Sequence, residues 1–141
     1  MKIMLSVFLK PSLLLLVWAM PLFGAFAQAN KLYGTVNGTE IRPDSLPLYP
    51  GGEAEMLQFI ARNMRYPESA IEEGLQGKLL VSLIVNEAGN VTDVKVEKGV
   101  SPDLDREAQR VVKLLQTWKP AYANGQPVRY RKIVPIMFKL Q

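Results

Sequence analysis

Cysteine and histidine are both absent from this chain of 141 residues. Without cysteine there is no disulfide, no thiolate nucleophile and no zinc-finger spacing, and without histidine there is no imidazole base. A serine hydrolase needs such a base, and no S-x-x-K motif supplies a lysine in its place. The acidic pair Asp103 and Asp105 falls in the first turn of a predicted helix, where the helix dipole accounts for it. We therefore predict that the protein is not an enzyme and uses neither a cofactor nor a metal.

The excess of positive over negative charge is also small, because the net charge is only +4. Two of the lysines, Lys2 and Lys10, belong to the extreme N-terminal segment. The remainder is only weakly basic, and this argues against nucleic acid as the main partner.

The N-terminal segment has the pattern of a signal peptide. Its two lysines precede an apolar run over residues 13–26, and two overlapping A-x-A motifs end at Ala27 and Ala29. We predict a cleaved signal peptide over residues 1–29. The alternative is an uncleaved membrane anchor, since residues 11–29 carry no charge and a bilayer is crossed by about 20 residues. Both interpretations place the rest of the chain outside the cytoplasm.

Residues 30–50 are rich in glycine, proline, asparagine and threonine. Pro43, Pro47 and Pro50 make a long helix or strand unfavourable, so we predict a linker with one docked strand near residues 32–36. Residues 51–141 then form the folded domain.

Helical periodicity occurs in three places within that domain. The first helix begins at Gly51-Gly52 and ends before Pro67, and its predicted buried face is Ala54, Leu57, Ala61 and Met64. A second, short helix has Pro67 as its first residue and turns Ala70, Ile71 and Leu75 inward. The third helix begins at Ser101, a favourable N-cap, and ends at Lys119 before Pro120. Its predicted buried stripe is Leu104, Ala108, Val111, Leu115 and Trp118.

The strands are marked by alternation at period two. Residues 77–85 and 91–96 flank a five-residue turn that contains Gly89, and together they predict a β-hairpin. A last strand is predicted over residues 128–140, at a sheet edge or with a bulge, because Pro135 cannot donate to a ladder. The order of elements predicts an α+β fold, in which two to three helices pack on one face of a small three-stranded antiparallel sheet.

Several short motifs together resemble a known family. They are YPGGE at residues 49–53, the step Arg65-Tyr66-Pro67, GKLLVSLIV at 77–85, LDREA at 104–108, TWKPA at 117–121, NGQPV at 124–128 and VPIMFKL at 134–140. In this order and spacing they resemble the C-terminal domain of TonB, the periplasmic energy transducer, in its Bacteroidetes form.

The resemblance implies a binding domain in the periplasm, either free or anchored in the inner membrane. Family members pair their last strand with the TonB box of an outer-membrane receptor during energy-dependent transport, and work with proton-driven motor proteins of the inner membrane. The matching positions here are Tyr66, Pro67, Val128, Arg129, Tyr130, Arg131, Lys132, Ile133 and Val134. Arg129, Arg131 and Lys132 would favour an acidic segment, or they protect the strand edge from unwanted pairing by their charge. The same edge leaves open a homodimer or a role as a periplasmic adaptor without energy transduction.

Overall fold

The computed structural model describes residues 34–36 and 38–141. The predicted signal peptide over residues 1–29 therefore lies outside the described residues. None of the helices in the described part of the chain is long and apolar enough to cross a membrane. The elements are β1 (Gly34–Val36), β2 (Thr39–Ile41), α1 (Gly52–Asn63), α2 (Glu68–Glu72), β3 (Gly77–Val85), β4 (Val91–Lys98), α3 (Pro102–Lys113), β5 (Ala121–Ala123) and β6 (Gln126–Phe138).

The fold is α+β with an antiparallel sheet, as predicted, but the sheet has six strands instead of three. Its order is β2-β1-β6-β3-β4, and β5 pairs separately with β6. The three unpredicted or only partly predicted strands, β1, β2 and β5, are three residues long each. A strand of that length is too short to show alternation, which explains why the sequence pattern did not reveal the full sheet.

The predicted hairpin is confirmed as β3 and β4. Leu79, Val81, Leu83 and Val85 have no exposed surface, as their alternation requires. In the connecting turn, Asn86 Oδ1 accepts hydrogen bonds from the backbone N–H groups of Ala88 at 3.0 Å and Asn90 at 2.9 Å. Gly89 has a φ of 83°, a conformation that a side chain would strain.

Helix α3 begins as predicted, because the side chain of Ser101 accepts a hydrogen bond from the N–H of Leu104. Its predicted apolar stripe is buried throughout. The helix ends at Lys113, however, and not at Lys119. Trp118 still reaches the core from the following turn, where its Nε1–H donates to the carbonyl of Leu115 at 2.8 Å and its side chain is 5% exposed.

The predicted buried face of α1 is wrong. Met56 and Ile60 are buried, whereas Leu57 is 45% exposed. Both sets of residues satisfy helical spacing, and the helix turns the set that includes Met56, Ile60 and the partly buried Phe59 towards the sheet. In α2, Ala70 is buried as predicted, but Ile71 is 50% exposed because a helix of five residues presents little more than one side chain to the core.

The described residues lie in one compact unit. Most buried side chains form a core between the helices and the sheet, and a second cluster lies around Val128 and Tyr130 near Ile41. Within the predicted linker, β1 and β2 join the sheet, and Ser45 and Leu48 form bridges to Tyr122 and Lys119. This segment is thus more extensively docked than the one strand that was predicted.

Candidate partner-binding edge

Strand β6 lies inside the sheet over its first half, contrary to its prediction as an edge strand. Tyr130 has Val85 of β3 on one side and Gly34 of β1 on the other. Arg129 lies opposite Thr35, and Val128 lies opposite Ala121 of β5. The covering strand β1 comes from the segment that precedes the predicted domain.

Beyond Tyr130, the pairing of β6 differs between its two sides. On the side of β3 the pairing continues to Phe138, opposite Gly77. On the other side, no strand within residues 34–36 and 38–141 pairs with residues 131–137. We call this side of residues 131–137 the open edge of β6.

Pro135 shows which backbone groups face the open edge. It lies opposite Leu80, and the register between β3 and β6 runs past it without a shift. A proline fits there without losing a ladder bond only if its nitrogen points away from β3. Because these directions alternate along a strand, the backbone N–H and C=O groups of Arg131, Ile133 and Met137 point away from β3 as well. The open edge thus offers three donors and a longer row of acceptors.

The three predicted cations are each paired with a carboxylate. Arg131 donates to Glu97 at 2.5 Å, Arg129 lies 3.6 Å from Asp93, and Lys132 lies 3.8 Å from Glu53. They were predicted to attract an acidic segment of a partner, and this stays a prediction, but each already has a carboxylate of the same chain beside it. The prediction considered β6 alone, and the acidic residues come from β4 and α1.

Glu97 joins two strands on the outer face, the face of the sheet opposite the helices. It accepts hydrogen bonds from the hydroxyl of Ser82 on β3 at 2.6 Å and from Arg131 on β6. These bonds, the one from Ser82 first, lower the pKa of Glu97 below its ordinary value. Ser82 is itself almost completely buried, so the network holds this part of the sheet in one arrangement.

Tyr66 and Pro67 lie at the far end of β6. The Tyr66 ring packs edge-on against Phe138 with ring centroids 5.3 Å apart, and its hydroxyl donates to the carbonyl of Leu75. Pro67 precedes α2, and its carbonyl accepts from the N–H of Ile71. These contacts fix the connection between α1 and α2, and a contact of either residue with a partner stays a prediction.

The outer edge of the sheet at β4 differs from the open edge of β6. The pairing of β4 with β3 shifts register twice, and Asp93 has a φ of 50°. Charged side chains follow along β4 at Asp93, Lys95, Glu97 and Lys98. Bulges and charges of this kind protect edges from further pairing. The regular stretch of β6 is therefore the better acceptor for another strand.

Sequence reasoning missed Met137 as a member of this site. Its side chain is 57% exposed on the same face as Ile133, which is 40% exposed. Alternation along the strand could have revealed it, because residues 131, 133, 135 and 137 must share a face.

Apart from the open edge of β6, a concave surface lies between α2 and α3. Its lining includes Arg65, Arg106 and Arg110 together with Glu68, Asp103 and Glu107. Glu107 accepts from Arg110 and from the N–H of Arg65, each at 2.6 Å, and the bond from Arg110 is the main reason why its pKa is lowered. Opposite charges balance each other on this surface. In the described part of the chain, no group of acidic side chains is arranged to hold a metal ion.

The chain matches a known protein family. Residues 62–140 fit the family described as Gram-negative bacterial TonB protein C-terminal. Protein TonB of Xanthomonas campestris is 38% identical over 79 residues, which cover 54% of this chain and 34% of that protein. Protein TonB of Helicobacter pylori is 42% identical over 59 residues, which cover 39% of this chain and 21% of that protein. The chain thus matches about a third or less of each relative.

Among solved structures, the chain is similar to the NMR solution structure of the Helicobacter pylori TonB C-terminal domain. The identity is 29% and the TM-score is 0.47, with 65% of this chain and 87% of that chain covered.

Proposed function

Because the chain belongs to the family of TonB C-terminal domains, we propose that the open edge of β6 binds an extended segment of an outer-membrane receptor. TonB proteins are energy transducers for transport and act in the cell envelope. The observation that carries the proposal is the open edge itself. Among the described residues, no strand pairs with that side of residues 131–137, whereas their other side is paired with β3 throughout.

Strand addition suits this edge physically. An extended segment satisfies the outward N–H and C=O groups of Arg131, Ile133 and Met137, and backbone pairing of this kind supplies affinity with little demand on sequence. Pro135 withholds one donor, so we expect the strongest pairing at Arg131 and Ile133. Arg129 and Tyr130, which were predicted to take part, are already occupied by β1 and mark the end of the binding edge.

The physiological role follows from the same proposal. The domain links a receptor to the proton-driven motor proteins of the inner membrane, in the periplasm, and the bound segment is the receptor's TonB box. The matched region is 34% of the Xanthomonas campestris protein, so membrane anchoring and force transfer are proposed here by analogy with the whole transducer.

A proline at Ile133 tests the binding edge. The N–H of Ile133 points away from β3, as the nitrogen of Pro135 does, so Ile133→Pro should keep the fold while removing a donor and placing a ring against the partner. The control is Ile133→Thr, which keeps the N–H and the β-branched shape.

The measurement is calorimetry with peptides from the plug termini of receptors of the same organism. We expect Ile133→Pro to weaken binding about tenfold or more, which corresponds to about 1.4 kcal/mol, and Ile133→Thr to weaken it much less. Equal binding by wild type and Ile133→Pro would exclude strand addition at this edge. If no receptor peptide binds the wild type, the adaptor role without energy transduction takes the place of this proposal.

A further inference from the structure

We infer that Ile133 and Met137 select for a segment with apolar side chains at every second position. These side chains would lie on the outer face of the sheet. This inference rests on the proposed function. It goes beyond it by specifying the chemistry of the partner segment and the face of the sheet on which that chemistry is recognised.

The open edge of β6 is bordered by an apolar strip on the outer face. Ile133 is 40% exposed and Met137 is 57% exposed, and exposed Pro135 lies between them on the same face. On the β3 side the neighbours are mixed, because partly exposed Leu80 lies opposite Pro135, buried Ser82 opposite Ile133 and exposed Lys78 opposite Met137. A segment paired with the open edge places every second side chain next to this strip, since side chains alternate across a strand.

The outer face turns polar towards the start of the open edge. Arg131 is held by Glu97, which also binds Ser82, and Arg129 is paired with Asp93. Apolar side chains of the partner thus gain contacts beside Ile133 and Met137, whereas beside Arg131 they would meet a charged pair.

The helix side of β6 contributes less to selection. Val134 and Ile136 point to that side and have almost no exposed surface, because the core of the domain already covers them. Lys132 also lies on that side, where its side chain is 24% exposed and pairs with Glu53. The discriminating contacts thus come from the outer face.

The inference is tested with two synthetic heptapeptides that differ only in apolarity. One alternates valine and threonine, and in the other each valine is replaced by threonine. Both can form the same backbone pairing. The protein variants are wild type, the double variant Ile133→Thr with Met137→Thr, and the control Val36→Thr. The control removes a comparable exposed apolar side chain, 41% exposed, from β1, away from the open edge.

We expect wild type and Val36→Thr to bind the alternating peptide about five- to tenfold more tightly than the all-threonine peptide. In the double variant this preference should shrink to less than about twofold, because cross-strand pairs contribute roughly 0.2–1 kcal/mol each. The all-threonine peptide should bind all three proteins about equally.

Four results would overturn the inference. If both peptides bind wild type equally, strand addition stands and the apolar selection is wrong. If the preference survives in the double variant, selection lies elsewhere than on the outer face. If wild type forms dimers without peptide and the double variant does not, a second copy of the chain covers the strip. If wild type binds receptor peptides but neither synthetic peptide, the apolar selection is wrong, whereas failure of the receptor peptides as well would remove the proposed function itself.

Discussion

Gly34 of β1 lies opposite Tyr130 of β6, on the side away from β3. A Cβ atom on Gly34 would lie 3.1 Å from Val128 Cγ2 and 3.2 Å from the carbonyl oxygen of Arg129. A side chain on Gly34 would therefore crowd β6, and one of the two strands would have to shift by a few tenths of an ångström. Within residues 34–36 and 38–141, this contact is the last between β1 and β6 before the open edge begins.

Gly34→Val should loosen β1 and lengthen the open edge by the residues that β1 now covers. Because the N–H of Arg129 points towards β1, we expect its amide hydrogen to exchange at least about tenfold faster in the variant. Hydrogen exchange measured by NMR checks this. Thr39→Val on exposed β2 is the control and should leave the exchange of Arg129 unchanged. Equal protection of Arg129 in Gly34→Val and wild type would show that β1 tolerates the side chain.

Gly89→Ala should destabilise the fold through contact with the Trp118 turn. Its Cβ would lie 1.9 Å from the carbonyl oxygen of Trp118, and the residue has a φ of 83°. We expect a loss of about 2–3 kcal/mol in urea unfolding. Gly125→Ala is the matched control, since its φ is 75° but nothing lies within 4 Å of its Cβ, and it should cost only about 1 kcal/mol. Equal losses would mean that the turn moves away freely.

Trp118→Ala should be among the most destabilising single changes. The ring is 5% exposed, packs edge-on against Tyr49 with centroids 5.3 Å apart, and donates to Leu115. We expect a loss of about 3–5 kcal/mol in the free energy of unfolding. Leu114→Ala, at a position that is 44% exposed, should cost less than about 1 kcal/mol. A small loss for Trp118→Ala would indicate that the core does not depend on the indole.

The parts of the fold that were predicted correctly have local signals. The hairpin of β3 and β4 alternates strictly enough to fix its buried face, and α3 has one apolar stripe, a capping serine and a proline at its start. Helix α1 has two apolar sets at helical spacing, and only packing against the sheet decides between Met56 and Leu57. Periodicity cannot make that choice.

The candidate site was predicted only in part, because an edge is a property of the whole sheet. The pattern of β6 placed Arg131, Ile133 and Val134 in one strand, and Pro135 correctly indicated an unpaired side. The cover over Tyr130 comes from β1, about a hundred residues earlier in the chain, and the carboxylates that pair with the cations come from β4 and α1. No signal within the last strand reports such distant neighbours.

Glu107→Gln should destabilise the protein relative to wild type at neutral pH, and this loss should become smaller in acid. Arg110 and the N–H of Arg65 lower the pKa of Glu107, so the ionised form is favoured in the folded state. Its contribution is complete above the unfolded value of about 4.3 and is lost as the pH falls through the lower folded pKa.

In urea unfolding we expect the Glu107→Gln variant to lose about 1–2 kcal/mol at pH 7, and the difference from wild type to shrink towards pH 3. Glu72→Gln, an exposed glutamate on α2, is the control. A difference that stays constant with pH would show that packing, and not charge, explains the loss.

Glu97→Gln should strengthen the binding of acidic segments at the open edge. In wild type the guanidinium of Arg131 is occupied by Glu97, so we expect affinity for an acidic peptide to depend only weakly on salt. Removing the carboxylate leaves Arg131 free to attract a partner's acidic side chain. An exposed pair contributes about 0.2–1 kcal/mol, so we expect a gain of about 1.5- to fivefold at low salt that disappears near 0.5 M salt.

A neutral peptide should bind both proteins equally, and Glu87→Gln in the hairpin turn should change neither affinity. Calorimetry at two salt concentrations provides the measurement. A steep salt dependence in wild type would contradict this argument, because it would show that Arg131 attracts the segment despite its pairing with Glu97.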